Sequence, residues 1–463
     1  MMNIFFEYLN YLPPELIFKS FHTKKFFFFL DSVSPSYGRY SIVGFEPFLI
    51  FKSKGDKITV EDTNSKKTYI GNPFDYLNEL LEKYWVDTRF FFIPGAVGYF
   101  GYDAGLKFEN LPDINPDILK IPDIFFCFYD TFLIFDIIKK KLILTGINFF
   151  EKESTFKKKI SLISSEIKNS LKFQNDEKEA KIKNFSSNMK FSEYVSSIEK
   201  IKNYIKQGDV YQINFSQRFQ AEGIFNPSEI YLKIRKINPS GYSAYFDFNN
   251  FQILSNSPEL FIKKYGIKII TKPMKGTISR GKNRKEDSEN KKELLDSEKD
   301  RAELIMIVDL ERNDIGKICE FGSIKVKKLV EIEKYKTCFQ TTSTIEGILK
   351  KEVAPVDIIK NIFPGGSITG APKIRAMEII EELEPEKRSF YTGSLGYIGF
   401  NKNMLLNILI RTILHKENKI YYPVGGGIVW DSIPEKEYEE TLIKTKNLFL
   451  TLGIDQNAGN LFS

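Results

Sequence analysis

The sequence predicts a mixed α/β (α+β) protein with two lobes. A chain of 463 residues is longer than one ordinary small domain. Its hydrophobic share of 42%, with 42 Phe and 23 Tyr, is typical of a folded chain with a large core. Short apolar runs dominate the N-terminal part, whereas helix and strand patterns alternate irregularly after Phe191. We therefore expect an N-terminal β-rich lobe at residues 1–172 and a second domain at residues 191–455.

The N-terminal lobe shows strand patterns separated by turn residues. Lys25–Asp31, Tyr40–Lys52 and Ile124–Ile137 are rich in aromatic and branched residues and are bounded by Gly, Pro, Asp or Asn. Phe74–Tyr84 has helical periodicity. Phe26–Leu30 is too short to span a bilayer, so we interpret it as a buried strand.

The segment between the lobes is polar. From about residue 151 to 190 it is rich in Lys, Ser, Asn and Glu, and Phe156–Leu171 is a candidate helix. Residues 173–190 are expected to form a solvated linker.

Composition excludes several function classes. The 67 basic and 60 acidic residues give a charge of +7 that is spread along the chain, so no nucleic-acid partner is indicated, although a basic pocket for a small anion is compatible. Three distant cysteines favour neither disulfides nor zinc, and the N-terminus lacks a secretory pattern, so we expect a cytoplasmic protein with no membrane association. With two histidines, acid-base chemistry falls to carboxylates and lysines. No phosphate-binding glycine motif follows a strand.

The last helix pattern carries charged residues at helical spacing. Ser432 and Glu435 resemble a capping box that opens a helix through about Leu452. Glu437, Glu440 and Lys444 then share one stripe. A solvated face with one Glu–Lys pair is the alternative interpretation.

Unusual residues occur in the two strand patterns before this helix. Gly425, Gly426 and Gly427 interrupt a β-rich run, which requires either a bulge or close approach of a ligand to the backbone. Arg411 lies in the apolar run Asn407–Leu414, where its guanidinium should meet a carboxylate from the protein or from a ligand.

Two further segments could hold anions or a metal. The turn Phe363–Lys373 contains Thr369 and Gly370 and leads into a helix at Ile374–Leu383, with Pro372 in its first turn, so it is either an anion site or an ordinary capped loop. Glu303 lies on a helix at Lys299–Leu310. It could join Glu437 and Glu440 in a Mg²⁺ site, or be an exposed helical residue.

Several motifs occur together in one order. They are Gly208–Phe215, Ser257–Phe261, Pro273–Thr277, Lys299–Glu303, Asp309–Asp314, Pro364–Lys373, Gly425–Val429 and Glu437–Thr441, preceded by Leu30–Ser32 and Gly38–Gly44. Together they resemble the chorismate-binding enzymes, the family of anthranilate synthase and aminodeoxychorismate synthase component I. The resemblance covers nearly the whole chain. It implies an anthranilate-synthase-type fold with two facing, mostly antiparallel β-sheets flanked by helices, with the active site between them.

The resemblance also assigns roles to the candidate residues. It implies chorismate as substrate and Mg²⁺ as cofactor, with Glu303 and Glu440 as metal ligands and Glu437 alongside. Substrate would be held by a larger set, namely Thr369, Gly370, Tyr391, Arg411, Gly425, Gly426, Gly427, Glu437 and Lys444. Glu259 would be the general acid for departure of the 4-hydroxyl, a role that a raised pKa supports.

Lys275 separates members of the family. Anthranilate-forming members usually carry Ala at this position, whereas aminodeoxychorismate-forming members carry Lys, proposed to attack C2 of chorismate before ammonia adds at C4. A role for Lys275 in pairing with a substrate carboxylate stays open.

Gln340 stands where anthranilate synthases place His, which weakens the anthranilate alternative. No glutaminase Cys-His pattern occurs in the sequence, so we expect ammonia to come from solution or from a separate glutamine amidotransferase subunit. An isochorismate or salicylate synthase is a weaker alternative, since those enzymes use water and would favour a different base arrangement. A further alternative is a non-catalytic chorismate- or tryptophan-binding regulator, against which Glu259, Lys275, Glu303 and Glu440 together argue.

Overall fold

The computed structural model describes residues 4–109, 111–150, 152–169, 180–351 and 353–453. In that part of the chain the helices are α1 (Pro14–Phe21), α2 (Pro73–Lys83), α3 (Glu153–Asn169), α4 (Phe191–Gln207), α5 (Pro227–Ile237), α6 (Arg284–Asp296), α7 (Glu298–Gly316), α8 (Pro355–Ile362), α9 (Lys373–Leu383) and α10 (Pro434–Leu452). Tyr102–Lys107 and Gly366–Ile368 form short 3-10 turns.

The strands are short and fall on both sides of the segment between the lobes. Those before Phe191 are β1 (Ile4–Leu9), β2 (Phe28–Asp31), β3 (Tyr40–Gly44), β4 (Leu49–Lys54), β5 (Lys57–Asp62), β6 (Lys66–Ile70), β7 (Gly95–Phe100), β8 (Ile124–Phe128), β9 (Thr131–Asp136), β10 (Lys141–Ile147) and β11 (Lys181–Ser187). Those after it are β12 (Gln212–Ile224), β13 (Tyr242–Asp247), β14 (Gln252–Ser257), β15 (Leu260–Tyr265), β16 (Lys268–Lys272), β17 (Met274–Ser279), β18 (Lys325–Lys334), β19 (Cys338–Ile348), β20 (Gly370–Ala371), β21 (Ser394–Gly399), β22 (Met404–Asn407), β23 (Thr412–Lys416) and β24 (Lys419–Ile428).

The described strands form two large antiparallel sheets. The first has the order β1-β10-β9-β3-β2-β13-β14-β23-β24-β12-β11, with β20 on β12. The second has the order β17-β19-β16-β15-β22-β21-β7-β8-β4-β5-β6, with β18 on β19. The predicted mixed fold with antiparallel sheets is confirmed. Each sheet joins strands from both parts of the chain, because β2 pairs with β13 and β7 pairs with β21.

The core has layers on both faces of each sheet. One apolar cluster, which includes Phe28, Phe246 and Leu414 of the first sheet and Tyr99 and Phe125 of the second, lies between the sheets. The other face of the first sheet is covered by α1, α3 and α5, and that of the second by α2, α7 and α8. Burial of this apolar surface, worth about 25 cal/mol per Å², holds the two sheets at a fixed distance and so fixes the cleft between them.

The segment between the lobes contains a strand. Lys181–Ser187, within the linker expected at residues 173–190, is β11 and pairs with β12, so the linker prediction is wrong for these residues. Ile182 and Phe185 pack against the cluster behind the first sheet, and this apolar contact is the reason that the polar segment is ordered. Residues 173–179 lie outside the described part of the chain.

The candidate helices in the N-terminal lobe are present as α2 and α3; the last two residues expected for α3, 170 and 171, are not described. The apolar run Phe26–Leu30 contributes to β2 inside the first sheet, where Phe28 and Phe29 are fully buried. No helix among the described residues is long and apolar enough to cross a membrane.

Candidate active site

A cleft of about 620 Å³ contains most of the predicted site residues. It lies where β12 and β24 of the first sheet, β17 and β19 of the second, and helices α7 and α10 meet. The predicted residues that line it are Glu259, Lys275, Glu303, Tyr391, Arg411, Gly425, Gly426, Gly427, Glu437, Glu440 and Lys444. Thr369 and Gly370 are not among its lining residues.

Glu259 is a buried acid on the turn between β14 and β15. Its side chain is 4% exposed, and Ser367 Oγ donates a hydrogen bond to its Oε1 at 2.7 Å. Burial raises the pKa of Glu259 to about 7, because a charged carboxylate is poorly solvated there; the Ser367 hydrogen bond and the Lys275 charge oppose this rise. A carboxyl with this pKa can donate a proton near neutral pH.

Lys275 lies on β17 and points into the same cleft. Its Nζ is 3.4 Å from the carbonyl oxygen of Ser367, at the long limit of a hydrogen bond. Burial lowers the pKa of Lys275, while the charges of Glu303 and Glu259 oppose that shift. A larger share of this amine is therefore neutral than in an exposed lysine, which a nucleophile requires.

Helices α7 and α10 supply three carboxylates to the cleft. Burial raises the pKa of Glu303 and of Glu437, and the negative charge of Glu440 adds to the rise at Glu437. Lys444 lowers the pKa of Glu440, to which its Nζ is bonded at 2.7 Å, and it also donates to the carbonyl oxygen of Gly425 at 2.8 Å. The stripe predicted from helical spacing therefore faces the cleft.

These oxygens fit Mg²⁺ in chemistry. Mg²⁺ typically takes one or two carboxylates and completes its six positions with water or substrate oxygens. Among the described residues, no group of three or more His, Cys, Asp or Glu side chains is arranged as a complete metal-binding cluster. The donor set of Glu303 and Glu440 suits a magnesium ion that shares its coordination with a bound ligand.

The three glycines form part of a regular strand. Gly425, Gly426 and Gly427 pair in uninterrupted register with residues 216, 215 and 214 of β12, so a bulge is excluded. A Cβ on Gly427 would come within 2.2 Å of the Gln212 side chain. One on Gly426 would point at the Glu437, Lys444 and Glu440 side chains, at 3.4 to 3.9 Å. Glycine at position 427 therefore leaves room for the Gln212 side chain, whereas the charged stripe of α10 lies at ordinary van der Waals distance from position 426.

Arg411 occupies a break between strands and not a strand interior. The run expected as one strand, Asn407–Leu414, is divided into β22 and β23, and Arg411 between them has a φ of 51°. The strand prediction is wrong because the carbonyl oxygen of Arg411 turns to accept from Asn256 N at 3.1 Å. Within the described chain its guanidinium has no ion pair with a carboxylate, although it lines the cleft. An anionic ligand would supply the missing partner.

The glycine-rich turn contributes different residues from those expected. Thr369 is fully buried and donates from Oγ1 to the carbonyl oxygen of Gly365 at 3.0 Å, and Gly370 pairs with Ile213 in the first sheet. Pro372 precedes α9 as its N-cap and is not in its first turn. Ser367 and Ile368 line the cleft in place of Thr369 and Gly370.

The capping box expected at Ser432 is absent. The N-cap of α10 is Ile433, and Ser432 Oγ instead accepts from Val429 N at 3.1 Å and bonds to the Glu437 side chain. The serine thus joins the end of β24 to the first turn of α10.

Sequence reasoning missed several lining residues, among them Ser367, Asn214 and Lys299. Ser367 lies in the motif Pro364–Lys373, which is a signal, but nothing in the sequence singles out that serine. Gln340 on β19 also lines the cleft, and its Nε2 donates to Thr277 Oγ1 at 3.0 Å.

Comparison with known proteins identifies the class. The family model described as chorismate binding enzyme matches residues 26–449. Anthranilate synthase component 1 of Acetivibrio thermocellus is 36% identical over 461 residues, which cover 95% of this chain and 93% of that protein. Aminodeoxychorismate synthase component 1 of Bacillus subtilis is 37% identical over 412 residues, 88% of each chain.

A solved structure agrees with these sequences. Anthranilate synthase component I of Streptococcus pneumoniae superposes with a TM-score of 0.79 at 32% identity, and the match covers 89% of this chain and 92% of that one. The chain belongs to the chorismate-binding enzyme family. Within it, the chain is a chorismate-utilising enzyme of the anthranilate/aminodeoxychorismate synthase type.

Proposed function

We propose that the chain acts as component I of an aminodeoxychorismate synthase, which converts chorismate and ammonia to 4-amino-4-deoxychorismate and water for 4-aminobenzoate and folate synthesis. One observation supports this activity over the others in the family. Lys275, an amine with a lowered pKa, and Glu259, an acid with a pKa of about 7, contact the same residue, Ser367. This pairing suits a reaction that needs a neutral amine nucleophile and a protonated acid together.

Substrate binding would use the positive and donor groups of the cleft. Chorismate carries two carboxylates, and Arg411 and Lys444 line the cleft with the backbone of Gly425–Gly427. A guanidinium that forms no protein ion pair in the described chain is suited to one carboxylate. Tyr391 also lines the cleft, and its hydroxyl would be a further donor.

The chemistry balances with these residues. The Lys275 amine bonds to C2 of chorismate, the two ring double bonds shift, and the C4–O bond breaks as Glu259 delivers its proton, so that water leaves. Ammonia then bonds to C4, the double bonds shift back, and the C2–N bond breaks to release neutral Lys275. The proton that the added nitrogen loses restores Glu259.

Glu303 and Glu440 would hold Mg²⁺, which supplies positive charge to neutralise the substrate's C1 carboxylate when bound. Bond formation and proton transfer would remain with Lys275 and Glu259. Glu437, beside Glu440 on α10, would extend the same carboxylate surface.

Ammonia would come from a separate glutamine amidotransferase subunit, with the complex in the cytoplasm. The two named relatives are each the first component of a synthase, and this supports a second, separate subunit.

Anthranilate synthase component I is the second candidate, because the Acetivibrio relative of that name matches over 461 residues. Its reaction differs in placing nitrogen at C2 and in forming an aromatic product. Gln340 favours the first candidate, since a neutral amide bonded to Thr277 cannot act as a titrating base in aromatisation.

The test is to incubate the purified chain with chorismate, Mg²⁺ and ammonium and to identify the product by mass. Release of 4-aminobenzoate by an added lyase identifies the 4-amino product. Lys275→Ala should abolish it. Lys272→Ala, which removes a lysine on β16 that is ion-paired with Glu333 outside the cleft, should not. Anthranilate as product would contradict the proposal, and absence of turnover in the unmodified chain would favour a regulator.

A further inference from the structure

A buried ion pair lies behind the cleft, in the segment after α9. Arg388 and Glu384 are each 5% exposed. Arg388 Nε donates to Glu384 Oε2 at 2.9 Å, and Nη2 donates to Oε1 at 2.7 Å, so the contact is bidentate. Neither residue is among those that line the cleft.

The other donors of Arg388 reach the walls of the cleft. Nη1 donates to the carbonyl oxygen of Ile368 at 2.9 Å, and Nη2 donates to that of Asn214 at 2.5 Å. The guanidinium also lies 4.8 Å from the ring centroid of Tyr102 and 5.9 Å from that of Tyr391. Asn214, Ile368 and Tyr391 all line the cleft.

Glu384 connects the Arg388 guanidinium to the first sheet. Its Oε1 accepts from both the backbone N of Ser216, at 2.9 Å, and the Ser216 hydroxyl, at 2.8 Å. The orientation of the guanidinium is therefore fixed from one side by β12. Three separate segments, namely β12, the turn at Gly366–Ile368 and the loop that carries Tyr391, meet at one side chain.

A role in stability alone is a weak explanation for this arrangement. A buried ion pair often contributes no more stability than apolar side chains of the same volume. What an apolar replacement cannot supply is a planar set of donors that holds several carbonyl oxygens at once. Ile368 adjoins Ser367 in one short turn, and Ser367 in turn contacts Glu259 and Lys275.

We propose that Arg388, oriented by Glu384, is a positioning residue that acts through the Gly366–Ile368 turn to hold Ser367 against Glu259 and Lys275. The inference rests on the proposed function of Glu259 as general acid. In this proposal Arg388, which lies outside the cleft, aligns the Glu259 acid and the Lys275 amine within it.

The test compares Arg388→Lys with Arg218→Lys in the full chain. Lysine keeps the charge beside Glu384 but cannot reach Ile368 and Asn214 together. Arg218 is a matched control, since it forms a buried ion pair with Glu386 at 2.6 Å and does not line the cleft. We expect Arg388→Lys to lower kcat about 100-fold, the effect of a small misplacement of reacting groups. The KM for chorismate should change less than threefold, and Arg218→Lys should keep kcat within threefold.

The pH profile separates positioning from folding. Because the Ser367 hydrogen bond lowers the pKa of Glu259, a displaced Ser367 should move the high-pH limb of kcat to higher pH. A purely structural role predicts a lower Tm in both variants with that limb unmoved. A folded Arg388→Lys protein with near-normal kcat and an unshifted limb would overturn the inference.

A double-mutant cycle tests the route. If Arg388 acts through Ser367, adding Arg388→Lys to Ser367→Ala should cost less than about threefold more in kcat, whereas independent action would multiply the two losses. If Arg388→Lys fails to fold, Glu384→Gln replaces it in the test. The high-pH limb of kcat should then move to higher pH in Glu384→Gln. Failure of the proposed function would show earlier, in the unmodified chain, as a different product or no turnover.

Discussion

Ser367 Oγ donates a hydrogen bond to Oε1 of Glu259 at 2.7 Å in a site that water barely reaches. The carbonyl oxygen of the same serine faces the Lys275 amine at 3.4 Å. One residue thus contacts both groups that the proposed reaction needs. The hydroxyl lowers the pKa of the acid, while burial raises it, so the value near 7 depends on this serine.

Ser367→Ala should raise the pKa of Glu259. A hydrogen bond to a charged group is worth about 1.5–3 kcal/mol, so its loss corresponds to a rise of about one unit or more. Glu259 must be protonated to act as an acid, and the high-pH limb of kcat should move up accordingly. The measurement is kcat against pH. Ser394→Ala, which removes a buried hydroxyl bonded to Asn407 outside the cleft, serves as control. An unmoved limb in Ser367→Ala would contradict this account of Glu259.

Lys275 should form a covalent bond with substrate when ammonium is withheld. The proposed first step adds the amine to C2 with loss of water, so the protein should gain the mass of chorismate less one water. The measurement is intact-protein mass spectrometry, followed by peptide mapping to Lys275. Lys275→Arg should show no adduct and should lose at least about 10³-fold in kcat, because a guanidinium is not a nucleophile at neutral pH. Full turnover by Lys275→Arg would restrict Lys275 to pairing with a substrate carboxylate.

The sequence predicts the helical part of the site well. Glu437, Glu440 and Lys444 follow each other at helical spacing, and local geometry alone brings them to one face of α10. Helical periodicity likewise predicts that Glu303 lies on a helix, which is α7. Local spacing does not determine which strand faces α10. Only the resemblance to the chorismate-binding enzymes predicts that α7 and α10 meet.

The errors arise where tertiary contacts override local patterns. Arg411 interrupts an apolar run because its carbonyl oxygen bonds to Asn256, more than 150 positions away in sequence. The polar segment at Lys181–Ser187 is a strand because β12 offers an unpaired edge and an apolar surface beside it. Arg388 shows the same limit, since none of its contacts with Ile368, Asn214 and Tyr102 follows from spacing.

Glu440→Gln should lower activity at low Mg²⁺ and raise the Mg²⁺ concentration required for half-maximal rate. A neutral amide is a poorer ligand than a carboxylate, and we expect a shift of about 10- to 100-fold in the Mg²⁺ concentration. Glu439→Gln is the matched control, because its exposed side chain lies on the same helix but does not line the cleft. The measurement is rate against Mg²⁺ concentration, with calorimetry of Mg²⁺ binding in the presence of chorismate. Equal shifts in both variants would exclude Glu440 as a ligand.

Glu311 should make the fold less stable as pH rises. The side chain is 6% exposed on α7, and Thr271 Oγ1 donates to its Oε2 at 2.6 Å. Burial raises its pKa from 4.5 to about 8, with smaller contributions from the Glu259 and Asp314 charges. The folded state therefore holds a proton that the unfolded state has lost between these two pH values. The stabilisation is complete below pH 4.5 and is lost as pH rises through 8.

Glu311→Gln should remove this dependence, because an amide stays neutral at every pH. The difference between the two pKa values corresponds to up to about 5 kcal/mol in the free energy of unfolding of the unmodified protein. Urea unfolding at pH 5 and pH 8.5 should show a steeper loss in the unmodified protein than in Glu311→Gln. The exposed Glu320, replaced by Gln, should leave the steep loss in place. Parallel losses in Glu311→Gln and the unmodified protein would mean that Glu311 is ionised in the folded state, and that a cation or solvent reaches the interior beside Glu259.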